Sequence, residues 1–226
     1  YEKGLFNEDN IENFVTFLKK EKYDFLIPIG AESVSLINKF RKKIARELVI
    51  NLAPYESILI CLSKEKTLNF AKERDLLIPN CFSKSFLDKY CLKNKKLPCK
   101  LVFKSKFEIT NLKVKYINCM KDYSMLNFCH NETLIQEYIE GDGIGFFAIY
   151  DKGKLKKFFM HKRLREIPAS GGSSVFAKSI FDKKVFKYGK LILDELNWHG
   201  VAMVEFKKEI ATNKLYLMEI NPKFWG

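Results

Sequence analysis

The sequence has no apolar run long enough to cross a bilayer: the longest, Ser57–Leu62 and Gly145–Tyr150, fall far short of the roughly 20 residues a spanning helix needs. Residues 1–6 carry neither the apolar stretch of a signal peptide nor an initiator methionine, so an earlier start, no export signal and a cytoplasmic address are expected. The six cysteines stand eight or more residues apart with no C-x-x-C and no ordered histidine partners, which argues against a zinc site or a disulfide framework. No run of five basic residues occurs either. The net charge of +13 is spread along the whole length, so it selects no partner by itself, and a basic nucleic-acid module, which needs grouped cations and aromatic platforms, is kept only as a rival of another class. Internal repeats and low-complexity segments are absent. What is present is 226 residues with 47% hydrophobic content, enough for one large domain or two small ones and too apolar for a disordered chain.

The spacing of Ile11, Phe14, Phe17 and Leu18 predicts a helix over 8–20, followed by a short buried strand at Tyr23–Pro28 and a second helix opened by Gly30. That alternation is the rhythm of a parallel sheet, begun abruptly. Ser63 is placed to cap a helix over Lys64–Arg74, and Ser83 or Lys84 begins another that runs to Leu92. Strands are expected at Cys99–Lys104, Lys113–Asn118 and Thr133–Tyr138, with a helix near Tyr123–His130 between the last two. Antiparallel strands follow: Phe146–Tyr150 and Leu155–His161 around the turn Asp151-Lys-Gly153, then a Gly-Gly-Ser-Ser loop at 171–174, a helix over 183–196, and a last hairpin of Val201–Phe206 with Leu215–Ile220.

That hairpin carries the first chemical signal. Alternation puts Val201, Met203 and Glu205 on one face of its first strand, and Leu215, Leu217, Glu219 and Asn221 on one face of its second. A turn centred on Thr212 sets Glu205 opposite Glu219. Like charges directly opposed on a sheet repel, and a cation between them reverses the sign. Two carboxylates and the carbonyl of Asn221 form an all-oxygen donor set suited to Mg²⁺. The competing reading is a solvated edge with each acid paired to a lysine.

Glu205 followed by Met218-Glu-Ile-Asn-Pro-Lys-Phe-Trp-Gly226 resembles the metal-binding end of ATP-grasp enzymes, in the carboxylate–amine ligase branch similar to the carbamoyl phosphate synthase large subunit. Other segments follow in that family's order. Ser63-Lys64-Glu-Lys-Thr67 with Leu77-Ile-Pro-Asn80 resembles its first phosphate-lysine helix, and Leu97-Pro-Cys-Lys-Leu-Val-Phe-Lys104 its second lysine strand, with Lys100 as the alternative to Lys104. Gln136-Glu-Tyr-Ile-Glu-Gly-Asp142 resembles the hinge between the grasping lobes, and His161–Ser174 the branch's arginine and Gly-Gly-Ser segment.

The resemblance implies an α/β (α+β) ATP-grasp fold. A truncated Rossmann-like lobe would span 1–62, a small lobe 63–135 and a C-terminally incomplete catalytic lobe 136–226, the last two clasping ATP. It implies ATP held by Lys64, Lys104 and Gln136, by the backbone of Glu137, Tyr138 and Ile139, and by Asp142 or Glu140 at the ribose. It also implies Mg²⁺, with Mn²⁺ as a substitute, at Glu205, Glu219 and Asn221. Arg163 and Arg165, alternating on an expected strand, would share a face and clamp a carboxylate or the transferring phosphoryl group. The partners implied are a small carboxylate and an amine, with no nucleic acid and no membrane; the oligomeric state stays open, a homodimer among the options. His161 is read as a packed strand residue and His199 as part of a turn. Carboxyphosphate chemistry of the carbamoyl phosphate synthase or biotin carboxylase kind is the rival reaction, and a silent nucleotide-binding lobe a further one. One departure from the family pattern matters: Ser105–Lys113, where a glycine-rich phosphate loop belongs, contains no glycine.

Overall fold

A computed structural model of the chain describes residues 7–109, 112–126, 132–167 and 172–224. The first helix, α1 (Ile11–Glu21), buries Ile11, Phe14 and Leu18 at the expected spacing. It stops at Lys22, whose left-handed backbone lets its amide bond the Leu18 carbonyl. Two short strands, β1 (Phe25–Leu26) and β2 (Val49–Ile50), pair in parallel across the helix α2 (Ala31–Ile44). The buried strand expected at Tyr23–Pro28 is therefore two residues long and is not buried: Phe25 is 64% exposed, because only one strand flanks it.

The apolar run Ser57–Leu62 belongs to a helix, α3 (Tyr55–Cys61), with Pro54 at its N-cap and Ser57, Ile58 and Cys61 buried. The Ser57 hydroxyl donates to the Leu196 carbonyl at 2.7 Å, tying this region to the far end of the chain. Ser63 caps α4 (Lys64–Lys72) and Ser83 caps α5 (Lys84–Asn94), each accepting a backbone amide three residues on.

A three-stranded antiparallel sheet follows, with β3 (Leu101–Ser105) between β4 (Lys115–Ile117) and β5 (Thr133–Glu137). Its own small core contains Leu87, Leu101, Phe103, Ile117 and Ile135. The helix expected near Tyr123–His130 starts earlier, as α6 (Met120–Ser124), and residues 127–130 lie outside the described residues.

The third sheet is the largest: β6 (Gly141–Asp151), β7 (Lys154–Ile167), β8 (Ser173–Ser179), β9 (Gly200–Glu209) and β10 (Leu215–Asn221), ordered β10-β9-β6-β7-β8 and antiparallel throughout. Lys152 and Gly153 turn the β6–β7 hairpin, both at positive φ. Ser173 and Ser174, expected in a loop, already belong to β8, while residues 168–171 lie outside the described residues. Alternation along β6 sends Ile144, Phe146, Ala148 and Tyr150 into the main core. There they meet the helix α7 (Lys183–Glu195), which packs on that face of the sheet. Gly143, Gly145 and Phe147 point the other way, toward the three-stranded sheet, and both Gly145 and Phe147 approach His161. No described helix is long and apolar enough to cross a membrane.

The helix α7 approaches the sheet tightly at Gly189, where an added Cβ would stand 2.4 Å from Cδ1 of the fully buried Phe146. Gly189→Ala should destabilise the fold by about 1–3 kcal/mol through overpacking, seen as a lower denaturant midpoint. An unchanged midpoint would mean that this contact yields freely.

Candidate functional site

The face of the large sheet turned away from α7 and the inner face of the three-stranded sheet enclose a cleft of about 610 Å³. At one end of it Glu205 and Glu219 are direct cross-strand partners. How they come to be so depends on one extra residue. From the turn up to Leu217↔Phe206 the hairpin is regular, and continuing that register would set Glu219 opposite Val204, inside the core. A bulge at Met218 shifts the register by one. Leu215 and Leu217 therefore face the core, whereas Glu219 and Asn221 face the cleft, and the single face expected for all four is corrected.

A second irregularity reorders the arginines. Leu164 is an extra residue in β7 and Val175 one in β8, so Arg163 shares its face with Glu166 instead of Arg165. Arg165 is exposed and leaves the cleft, which corrects the paired clamp. The Arg163 guanidinium bonds the chain's own carboxylates, Glu205 and, at 3.3 Å, Glu166.

The two central acids are held in different states. Burial, and then the charge of Glu219, push the Glu205 carboxyl up to about 7 against the pull of Arg163. Burial would raise Glu219 as well, but Lys64, the Asn221 amide and Lys104 overcome it and lower its pKa. Asn221 donates to Glu219 Oε1 at 2.9 Å, and Lys64 stands 3.6 Å from Oε2. Lys64 is raised in turn: burial works against its charge, and Glu219 and Glu108 outweigh burial. Lys104, on β3, reaches the cleft from the opposite sheet and is lowered by burial and by Lys64. Lys100, its alternative, is exposed over the Tyr138 ring, 4.1 Å from the centroid.

At the other end lies the segment joining the two sheets. Gln136 is buried and donates to the Cys81 sulfur at 3.4 Å. The Glu137 amide is engaged by the Asn80 carbonyl and the Tyr138 amide by the Lys100 carbonyl. The Glu137 carboxylate accepts from Asn80 at 3.0 and 2.9 Å, so its side chain fastens this segment to the chain leaving α4. The Lys207 ammonium donates to the Ile139 carbonyl at 3.1 Å and lies over Tyr138.

Asp142 does not line this cleft, but a neighbouring pocket that it shares with Tyr138, Arg163 and Lys207. It shares the α7 face of β6 with Ile144, its cross-strand neighbour Lys208 bonds the α7 cap Asp182, and its own carboxylate pairs with Lys162 at 2.7 Å. Glu140, the other candidate, is exposed and does not line the cleft.

No family model matches this chain, and no curated protein matches it. Solved structures do. The chain superposes over 99% of its length on an L-amino acid ligase from Bacillus licheniformis (TM-score 0.70, 14% identity) and over 95% on the ADP complex of N5-carboxyaminoimidazole ribonucleotide synthetase (0.72, 14%). Over 95% of its length it also superposes on an ATP-grasp superfamily protein from Archaeoglobus fulgidus (0.59, 13%). The chain has the ATP-grasp fold. It spans 55%, 57% and 62% of the length of these three proteins.

Within the ATP-grasp cleft the sequence reading gave no role to three charged residues. Lys207 follows Glu205 by two and shares its face by plain alternation, so the signal was present. Glu166 stands at a motif position of the His161–Ser174 segment, and the β7 irregularity hid that it shares the face of Arg163. Glu108 comes from the glycine-free segment after β3 and bonds Lys64; a buried acid in that segment had no periodic pattern to reveal it. The donor set at Glu205, Glu219 and Asn221 fits a hard divalent cation, because the two facing carboxylates repel and Asn221, whose amide nitrogen bonds Glu219, keeps its oxygen for a ligand. Among the described residues no group of three or more His, Cys, Asp and Glu is arranged for a metal, so here the third donor would be the amide oxygen.

The raised Glu205 pKa has a consequence for the ligand-free protein. Between the ordinary carboxylate value of 4.5 and about 7 the folded state holds a proton that the unfolded state has lost, so this residue makes stability fall as pH rises through that window. In EDTA, Glu205→Gln should flatten that slope between about pH 5 and pH 8 and stabilise the protein at the alkaline end by on the order of 1–3 kcal/mol. Thermal melts of both proteins across the range check this; identical slopes would show that Glu205 is charged throughout.

Proposed function

We propose that this chain is the nucleotide-binding part of an ATP-dependent carboxylate–amine ligase, working through an acyl phosphate. The observation that carries the reading is the cross-strand pair Glu205 and Glu219 beside Asn221, at one end of a cleft whose other end is a chain segment able to recognise a base. With the Glu137 and Tyr138 amides engaged inside the protein, the Ile139 amide is the hinge donor left for an adenine edge. Gln136 backs that segment.

Lys64 and Lys104, reaching in from opposite sides, would act as point charges on the phosphates. Mg²⁺ bound by Glu205, Glu219 and Asn221 would supply charge neutralisation for the phosphates. Arg163 would serve by fixing Glu205, since both its carboxylate partners belong to the chain. Phe147 and Met203 line the cleft with apolar surface, which excludes water from a phosphoryl transfer that must reach a carboxylate oxygen and not a water oxygen. In the reaction, the substrate carboxylate takes the terminal phosphoryl group and ADP leaves; the amine then attacks the acyl carbon and phosphate leaves. The chain's part is positioning and charge balance.

Glu219→Gln should abolish Mg²⁺-dependent ADP formation while leaving the melting transition in place; turnover at the wild-type rate would remove the metal assignment. Lys104→Ala should weaken ATP binding about tenfold or more by calorimetry, and unchanged affinity would shift the phosphate role to Lys64 alone. A screen of amino acids, small carboxylates and bicarbonate for stimulated ADP release separates the reactions: stimulation by an acid with an amine supports the ligase, stimulation by bicarbonate alone the carboxyphosphate rival.

A further inference from the structure

At the phosphate end of the cleft the carboxylates already engage the cations before any phosphate arrives, although the chain as a whole carries +13. Glu108, Glu205 and Glu219 face Lys64, Lys104 and Arg163 there, and the charge of Lys223 also reaches Glu108. Arg163 is bonded to Glu205, and Lys64 is bonded to Glu108 while standing 3.6 Å from Glu219. The Lys64 and Glu108 side chains are 12% and 9% exposed, so solvent screens their pairing little.

Glu108 is not a passing surface partner. The segment after β3 is fastened to the start of α4 by backbone bonds, Lys64 N to the Lys106 carbonyl at 2.7 Å and Glu108 N to the Leu62 carbonyl at 3.2 Å. Phe107 bridges to Ser63, and the Lys106 ammonium reaches Glu65 at 3.2 Å. A glycine-rich loop would offer phosphates its amides at this place. This segment instead directs a carboxylate onto the lysine that phosphates need.

A free nucleotide entering here brings several negative charges toward Glu108 and Glu219 and finds the Lys64 charge already matched. A nucleotide arriving with a divalent cation does not, because the cation takes up the charge of Glu219 and Glu205. Resting on the nucleotide reading above, we propose that Glu108 makes binding conditional on a divalent cation, so that this site selects the metal complex over the free nucleotide.

Calorimetry with ADP, in Mg²⁺ and in EDTA, tests this on the wild-type chain and on Glu108→Gln. The wild type should lose about a hundredfold in affinity in EDTA, and E108Q should regain about tenfold of that loss while changing little in Mg²⁺. Glu108→Asp, which keeps the charge, should keep the metal dependence. Equal wild-type affinity in the two buffers overturns the proposal whether or not E108Q folds, and so does a folded E108Q that gains nothing in EDTA. A wild-type chain that binds no ADP even with Mg²⁺ overturns the nucleotide reading and this inference with it.

Discussion

Two glutamates are held face to face on neighbouring strands, and the rest of the site is arranged around the repulsion between them. A hairpin in its simplest register would have avoided the problem by burying Glu219 against Val204, at a worse desolvation cost. The bulge at Met218 exchanges that cost for a like-charge contact in a cleft, where Arg163, Lys64 and Lys104 can answer it. They answer it unequally. Glu219, reached by both lysines and by the Asn221 amide, is stabilised as a carboxylate, whereas Glu205, bonded by Arg163, has a pKa near neutrality. A pair with one firm and one reluctant charge is a site that gains from a further cation, and that bias is built into the backbone register.

The two sheets divide the work. The large one supplies the acids and Arg163; the small one supplies Lys104 and, through β5, the segment that lines the cleft's other end. Only a short stretch, Tyr138–Glu140, joins β5 to β6, and together with Glu137 it is fastened at four points: Asn80 to Glu137, Lys100 to Tyr138, Lys207 to Ile139 and Ile210 to Glu140. The charge of the whole chain says nothing about this cleft, where carboxylates engage the cations, and the surplus lysines lie elsewhere on the surface.

Sequence reading succeeded where the cause is local. Ser63 and Ser83 cap their helices because a short hydroxyl side chain satisfies an amide three residues on, and the turn at Lys152-Gly153 forms where Gly153 takes positive φ without steric cost. It failed wherever parity changes within a strand. Alternation assigns Arg165 to the face of Arg163, and Leu217 to that of Glu219, and both assignments are reversed by a single inserted residue. Asp142 was chosen for its proximity to the hinge in sequence, and it lies on the face toward α7 because strand parity, not distance along the chain, decides where a side chain points.

Residue order and type by themselves determined most of the helices and hairpins, the acid hairpin among them, and the likeness to the ATP-grasp pattern, since caps, turns and periodicity act over a few residues and survive in the one-dimensional string. Which acid meets which cation was decided only in three dimensions. Ion pairs such as Lys64 with Glu108 and Arg163 with Glu205 join residues 44 and 42 positions apart. Their partners are set by bulges and by the approach of two sheets, which cost and gain energy only once the chain has packed.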